Sequence, residues 1–156
     1  MIVVVMGVSG SGKSTIGGLL AARLGCRFLD ADEFHPPENV AKMAAGTPLT
    51  DEDSRPWLDR LNRELAGEKQ AVLACSALKE AYRDRLAAGL GRCEFVFLNG
   101  SFELIESRLT TRRHKYMPAS LLRSQFNTLE PPVRAIAVDV ARTPERCVED
   151  ILAALD

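Results

Sequence analysis

The sequence has few aromatic residues, no net charge of either sign to speak of, and no apolar run long enough to cross a membrane. One Trp, two Tyr and six Phe are 6% of its 156 residues. Reading unpaired bases needs exposed aromatics close together, and only Tyr116 and Phe126 lie in the basic part of the chain. Twenty Lys+Arg against 21 Asp+Glu leave a net charge of −1, which excludes wholesale binding of nucleic acid or an anionic membrane. The apolar run at the N-terminus covers Met1 to Met6 with no basic flank. It is too short for a signal segment or a span, so a cytoplasmic location is expected. The four cysteines form no C-x-x-C pair, which removes a zinc site of that type and leaves free thiols in a reducing compartment as the expectation. The D-x-x-G and N-K-x-D strings of a switch GTPase are absent. With no repeat and no low-complexity linker, residues 1–156 are expected to form one domain.

What is present alternates between two periods. Ile2–Met6, Arg27–Asp30, Ala71–Cys75, Glu94–Leu98 and Ala135–Val138 are short apolar runs suited to buried strands. Between them, Ile16, Leu19, Leu20 and Leu24 share a helical face closed by Gly25. Thr50 with Asp53 forms a capping-box start, and Thr143-Pro144-Glu145 opens the last helix. Strands separated by helices predict an α/β fold, with a five-stranded parallel sheet covered on both faces.

Between the first strand and first helix, Gly7-Val-Ser-Gly-Ser-Gly12-Lys13-Ser14 matches G-x-x-x-x-G-K-[ST] without a mismatch. Glycines let backbone N–H groups turn inward onto phosphate oxygens, and the helix start adds its positive dipole end. The nucleotide-binding candidates are therefore Gly7, Ser9, Gly10, Ser11, Gly12, Lys13, Ser14 and Thr15. Lys13 is expected to reach the β- and γ-phosphates of ATP, and Ser14 to ligate Mg²⁺. The second strand ends in Asp30-Ala31-Asp32, where parallel strands deliver residues to the edge that carries the phosphate loop. Alternation along an extended strand places both carboxylates on one side. One of the two, Asp30 or Asp32, can hold a Mg²⁺-bound water, and the other can take the proton of an attacking hydroxyl. An Asx turn at the strand end is the structural alternative. Residues 107–129 hold Arg108, Arg112, Arg113, Lys115 and Arg123 and no acid. The segment reads as a lid, about 108–130, whose arginines clamp transferring phosphate.

These residues lie within a larger pattern. Asp30, Asp32 and His35 are followed by Pro36, Asn39, Lys42-Met43, Gly46, Pro48-Leu49, Asp51, Asp53 and Pro56-Trp57-Leu58. Further on stand Cys75-Ser-Ala-Leu-Lys79, Tyr82-Arg83-Asp84, Arg108-Leu109 and Ser124-Gln125-Phe126. Nearly end to end, the chain resembles the gluconate kinases of the P-loop, adenylate-kinase-like type. The resemblance implies ATP- and Mg²⁺-dependent phosphorylation of D-gluconate on its 6-hydroxyl, a substrate-binding helical insertion at about 35–68, and a homodimer. It implies catalytic roles for Lys13, Asp32 and Arg112, and nucleotide contacts from Arg108 and Arg112. Asp32, His35, Lys79 and Arg83 would surround gluconate, the Arg83 fork facing its carboxylate. A kinase for another hydroxy acid such as shikimate, and a regulatory ATP-binding module without catalysis, are the alternatives. Three departures from the family pattern stand out. Ala31 replaces the Gly of Asp-Gly-Asp, Ser54-Arg55 replaces an Arg directly after the second Asp, and Arg112-Arg113-His114-Lys115-Tyr116 replaces Arg-x-Gly-His-Phe.

Overall fold

The computed structural model describes residues 1–111 and 119–156. Five parallel strands, β1 (Ile2–Met6), β2 (Arg27–Asp30), β3 (Ala71–Ala74), β4 (Cys93–Asn99) and β5 (Ile136–Asp139), form one sheet in the order β2-β3-β1-β4-β5. The β-branched run at the N-terminus takes the centre, where both of its faces are covered. Val3 and Val5 pack with Ile16 and Leu20 of α1 (Lys13–Leu24) and with Val148 and Ile151 of α7 (Pro144–Leu155). Val4 and Met6 pack with Trp57, Leu58 and Leu61 of α3 (Asp51–Ala66) and Leu86 of α4 (Glu80–Ala87). This is the expected five-stranded parallel α/β architecture.

Caps end the elements where the local chemistry requires. Gly25 closes α1 in the left-handed conformation, with φ 69°. Thr50 Oγ1 accepts from the Asp53 N–H at 3.1 Å, while Asp53 Oδ2 accepts from the Thr50 N–H at 2.9 Å, so the capping box is complete. Thr143 caps α7 with a single bond, its Oγ1 accepting from the Arg146 N–H at 3.2 Å. A third apolar cluster joins Val8 of the phosphate loop to Leu78, Ile105 of α5 (Phe102–Thr111) and Leu122 of α6 (Ala119–Thr128). That cluster brings α6 against the carboxyl ends of the strands.

One element differs from the sequence reading. The strand does not carry both acidic residues, because β2 ends at Asp30 and Ala31–Phe34 forms a single 3₁₀ turn. Asp30 Oδ1 accepts from the Asp32 N–H at 3.1 Å, so the side chain caps the turn. The two carboxylates are neighbours through an Asx-type turn rather than through strand alternation. All four cysteines are free thiols. Cys75 and Cys147 are buried, and burial pushes Cys75 up to about 12, which removes it as a nucleophile.

Candidate active site

The phosphate loop follows β1 at the sheet's centre. Gly10 and Gly12 have φ of 79° and 99°, in the region that favours glycine. A Cβ at Gly10 would lie 2.8 Å from Leu109 Cγ, and one at Gly7 would lie 2.9 Å from Ser11 Oγ. The loop is thus closed to side chains at these points. Ser11 Oγ is buried and has no hydrogen-bond partner among the described residues. A buried hydroxyl without a partner is costly, and an anion seated in the loop would relieve that cost. Lys13 is half-buried and donates from Nζ to the Val8 carbonyl at 3.0 Å. Burial pushes its ammonium below the ordinary lysine range, while the charges of Asp32 and Asp30 act in the opposite direction. Thr15 follows, exposed, in the first turn of α1.

Ser14 Oγ donates to Asp30 Oδ2 at 2.7 Å. A hydroxyl and a carboxylate in contact at a phosphate loop are oxygen donors of the kind Mg²⁺ takes. Among the described residues no three His, Cys, Asp or Glu side chains converge on one point. A cation here would draw its other ligands from phosphate and water, as Mg²⁺ does. The donor set therefore fits Mg²⁺–nucleotide.

Beside the loop opens a cavity of about 350 Å³. Lys13, Asp32 and His35 line it together, with Ser54 and Trp57 from α3 and Gln125 from α6. The Asp32 side chain is 74% exposed, whereas that of His35 is only 3% exposed. His35 Nε2 lies 3.9 Å from Asp32 Oδ1. Its ring stacks on Trp57, with centroids 4.0 Å apart and an interplanar angle of 17°. Trp57 in turn donates from Nε1 to the Ala31 carbonyl at 2.7 Å. Trp57 is both core and cavity wall.

The remaining predicted residues are placed less uniformly. Lys79 is not in the lining; it pairs with Asp51 at 2.8 Å, and Tyr82, which does line the cavity, donates to the same Asp51 oxygen at 2.5 Å. Arg83 lies in α4. Its guanidinium is buried outside the lining and donates to the carbonyls of Ala77 at 2.7 Å and Glu130 at 2.9 Å. It braces two chain segments instead of presenting a fork to a carboxylate. Arg108 Nη2 donates to the Val140 carbonyl beyond β5. Arg112, with the rest of residues 112–118, lies outside the described residues.

Two side chains with no role assigned from sequence belong to this site. Gln125 Oε1 accepts from the Ser9 N–H at 2.7 Å, tying α6 to the phosphate loop. Asn39 is 2% exposed and lies against His35. The string Ser124-Gln125-Phe126 was available as a family motif, but its contact with Ser9 crosses 116 residues and leaves no local signal. The shift of charge at positions 54 and 55 is visible directly: Ser54 faces the cavity and Arg55 faces solvent.

Comparison with known proteins agrees with this fold. The model of the shikimate kinase family matches residues 9–155. The thermosensitive gluconokinase of Escherichia coli is 42% identical over 96% of this chain and 87% of its own length. A crystal structure of a gluconokinase from Sinorhizobium meliloti superposes with a TM-score of 0.91 at 47% identity, covering 98% of this chain and 90% of that one. The shikimate kinase of Aquifex aeolicus superposes at 0.71 but with 21% identity, a likeness of fold alone. Identity at this level over nearly the whole of both chains, with the phosphate loop intact, means that the chain belongs to the gluconokinase family of P-loop kinases.

Proposed function

We propose that this protein catalyses transfer of the γ-phosphoryl group of ATP to the 6-hydroxyl of D-gluconate, giving 6-phospho-D-gluconate and ADP. The observation that carries the reading is the shared cavity: a phosphate-loop lysine, an exposed carboxylate and a buried imidazole face one space of substrate size. Bound Mg·ATP supplies the phosphoryl group and part of the charge neutralisation. The chain supplies the rest. The loop N–H groups and Lys13 hold the phosphates, and Ser14 and Asp30 hold the metal. Asp32 accepts the proton of the attacking hydroxyl, and His35 orients that hydroxyl beside it. Arg112 and Arg108 complete the reading on the nucleotide side, with residues about 108–130 as lid and about 35–68 as substrate-binding insertion. Neither Arg83 nor Lys79 is retained as a direct ligand of gluconate.

The homodimer implied by family resemblance belongs to the same reading. Among the described residues no helix is long and apolar enough to cross a membrane, and the cytoplasm is the proposed location.

Release of ADP from the purified protein with Mg·ATP tests the assignment. D-gluconate, other aldonates, shikimate and a blank without acceptor are compared. Release that depends on gluconate is the expected result. Release with another acid alone would move the substrate assignment and point to Ser54 as a determinant. ATP binding without turnover on any acceptor would replace the kinase by a regulatory module.

A further inference from the structure

Asn39 and His35 stand four residues apart, across the start of α2 (Pro37–Ala44). The Asn39 amide nitrogen donates to the Asp53 backbone carbonyl at 2.9 Å. A carbonyl only accepts, so the NH₂ end of the amide must face this corner. The same nitrogen lies 3.3 Å from His35 Nδ1. An NH₂ group only donates, so Nδ1 must accept and carries no proton. In a neutral ring the proton then sits on Nε2. Nε2 is the nitrogen that faces Asp32, at 3.9 Å. The Trp57 stack fixes the plane of the ring, and Asn39 fixes which edge of it faces inward. Burial also holds the imidazole below its ordinary pKa, against the charge of Asp32.

We propose that Asn39 is a positioning residue that locks His35 as a neutral Nε2–H donor aimed at Asp32 and the reacting hydroxyl. The proposal rests on the reading of Asp32 as the proton acceptor. A neutral donor orients a carboxylate and a hydroxyl without cancelling the charge that makes Asp32 a base. An imidazolium at the same place would set a positive charge beside the attacking hydroxyl and the carboxylate. The other neutral tautomer would turn a lone pair toward the carboxylate, leaving the hydroxyl between two acceptors. Asn39 thus does more than join α2 to α3: it selects the form of the ring.

Long-range ¹H–¹⁵N spectra of the whole protein read this directly. The chain has two histidines, and the set of signals lost in His35→Gln assigns His35. The expected wild-type pattern at neutral pH is Nε2 protonated and Nδ1 bare. Asn39→Asp places an acceptor against Nδ1 and should move the ring to the Nδ1–H or doubly protonated form. Gluconate kcat/KM should then fall about 10- to 100-fold, the range seen when a residue that orients a ligating group is lost. The KM for Mg·ATP should stay within about twofold, a split that general loosening of the fold would not produce. His35→Gln, whose amide N–H can stand near the place of Nε2–H, should exceed His35→Ala in gluconate kcat/KM by about tenfold. A wild-type ring with a proton on Nδ1 overturns the proposal, as does a folded Asn39→Asp protein with an altered ring and unaltered kcat/KM. If Asn39→Asp does not fold, the wild-type spectrum and the Gln-against-Ala comparison decide; equal rates for those two variants count against it. Absence of gluconate phosphorylation by the wild type would instead remove the kinase reading, while the spectrum still reports whether Asn39 selects the tautomer.

Discussion

Lys13 and Asp32 meet the same cavity with opposite dependence on the fold. Lys13 rests on the carbonyl of its own loop, 3.0 Å away, so its ammonium has a partner before any phosphate arrives. Asp32 projects from a 3₁₀ turn with most of its carboxylate in solvent. Replacing it therefore removes chemistry with little effect on packing. Asp32→Asn should lower kcat about 10²- to 10⁴-fold, the contribution of a positioned base. Its thermal midpoint should remain within a few degrees of wild type. Lys13→Met should lower kcat by at least about 10²-fold through loss of charge stabilisation at the transferring group. Steady-state kinetics beside a circular-dichroism melt measure both variants. A rate within tenfold of wild type would withdraw the role of that residue. Both residues were legible in the sequence because the loop motif and the D-x-D motif are local. The geometry between the acids was legible only as two alternatives. Strand alternation and a 3₁₀ turn each place Asp30 near Asp32, and only the Asp30 carboxylate bonded to the Asp32 N–H distinguishes them.

At the scale of elements, Arg83 shows what residue type alone leaves undetermined. A guanidinium near a sugar-acid site suggests a carboxylate ligand, but this one sits in α4 with its fork turned to main-chain carbonyls. One belongs to Ala77, whose φ of 45° is unusual for a residue with a side chain. The other belongs to Glu130, just beyond α6. The Glu130 N–H also donates to the Leu78 carbonyl at 2.8 Å, and Glu130 Oε1 accepts from the Glu80 N–H at 3.0 Å. Arg83 therefore fastens the far end of α6 while Gln125, one turn earlier, touches the phosphate loop. Arg83→Met should leave those two carbonyls short of a donor and destabilise the protein by about 2–4 kcal/mol, the scale of charge-assisted bonds lost in a buried place. Urea unfolding measures this, and the KM for gluconate should change by less than about twofold. A raised KM with unchanged stability would return Arg83 to the substrate site. Helix existence was readable from apolar spacing and caps at Gly25, Thr50 and Thr143. The destination of a long polar side chain was not, because it depends on which loops the sheet order brings together.

Across the whole molecule, α3 is the element that joins the cavity wall to the rest, and it does so through its acids. Asp53 pairs with Lys42 of α2 at 2.7 Å, Asp51 with Lys79 beside α4, and Asp59 with Arg85 of α4 at 2.6 Å. Each partner holds its carboxyl below the ordinary range. Lys42 and the Thr50 N–H hold Asp53 at about 2; Lys79 and Tyr82 lower Asp51, and Arg85 lowers Asp59. A carboxyl whose folded pKa is depressed binds fewer protons in the folded than in the unfolded chain. Its contribution is complete above the unfolded value near 3.8 and is lost as pH falls toward the folded value. For Asp53 that window runs from about 4 down to about 2. Stability should therefore decline through this window, with α3 the element that loosens. Trp57, the single tryptophan of the chain, lies on α3 and stacks on His35, so its fluorescence should report the change. Asp53→Asn removes the titrating group together with half of the capping box. Its stability should be lower at neutral pH and flatter between pH 4 and pH 2 than that of the wild type. Urea titrations followed by Trp57 fluorescence at several pH values give both slopes. Equal acid slopes in the two proteins would show that this network does not set the acid limit of the fold.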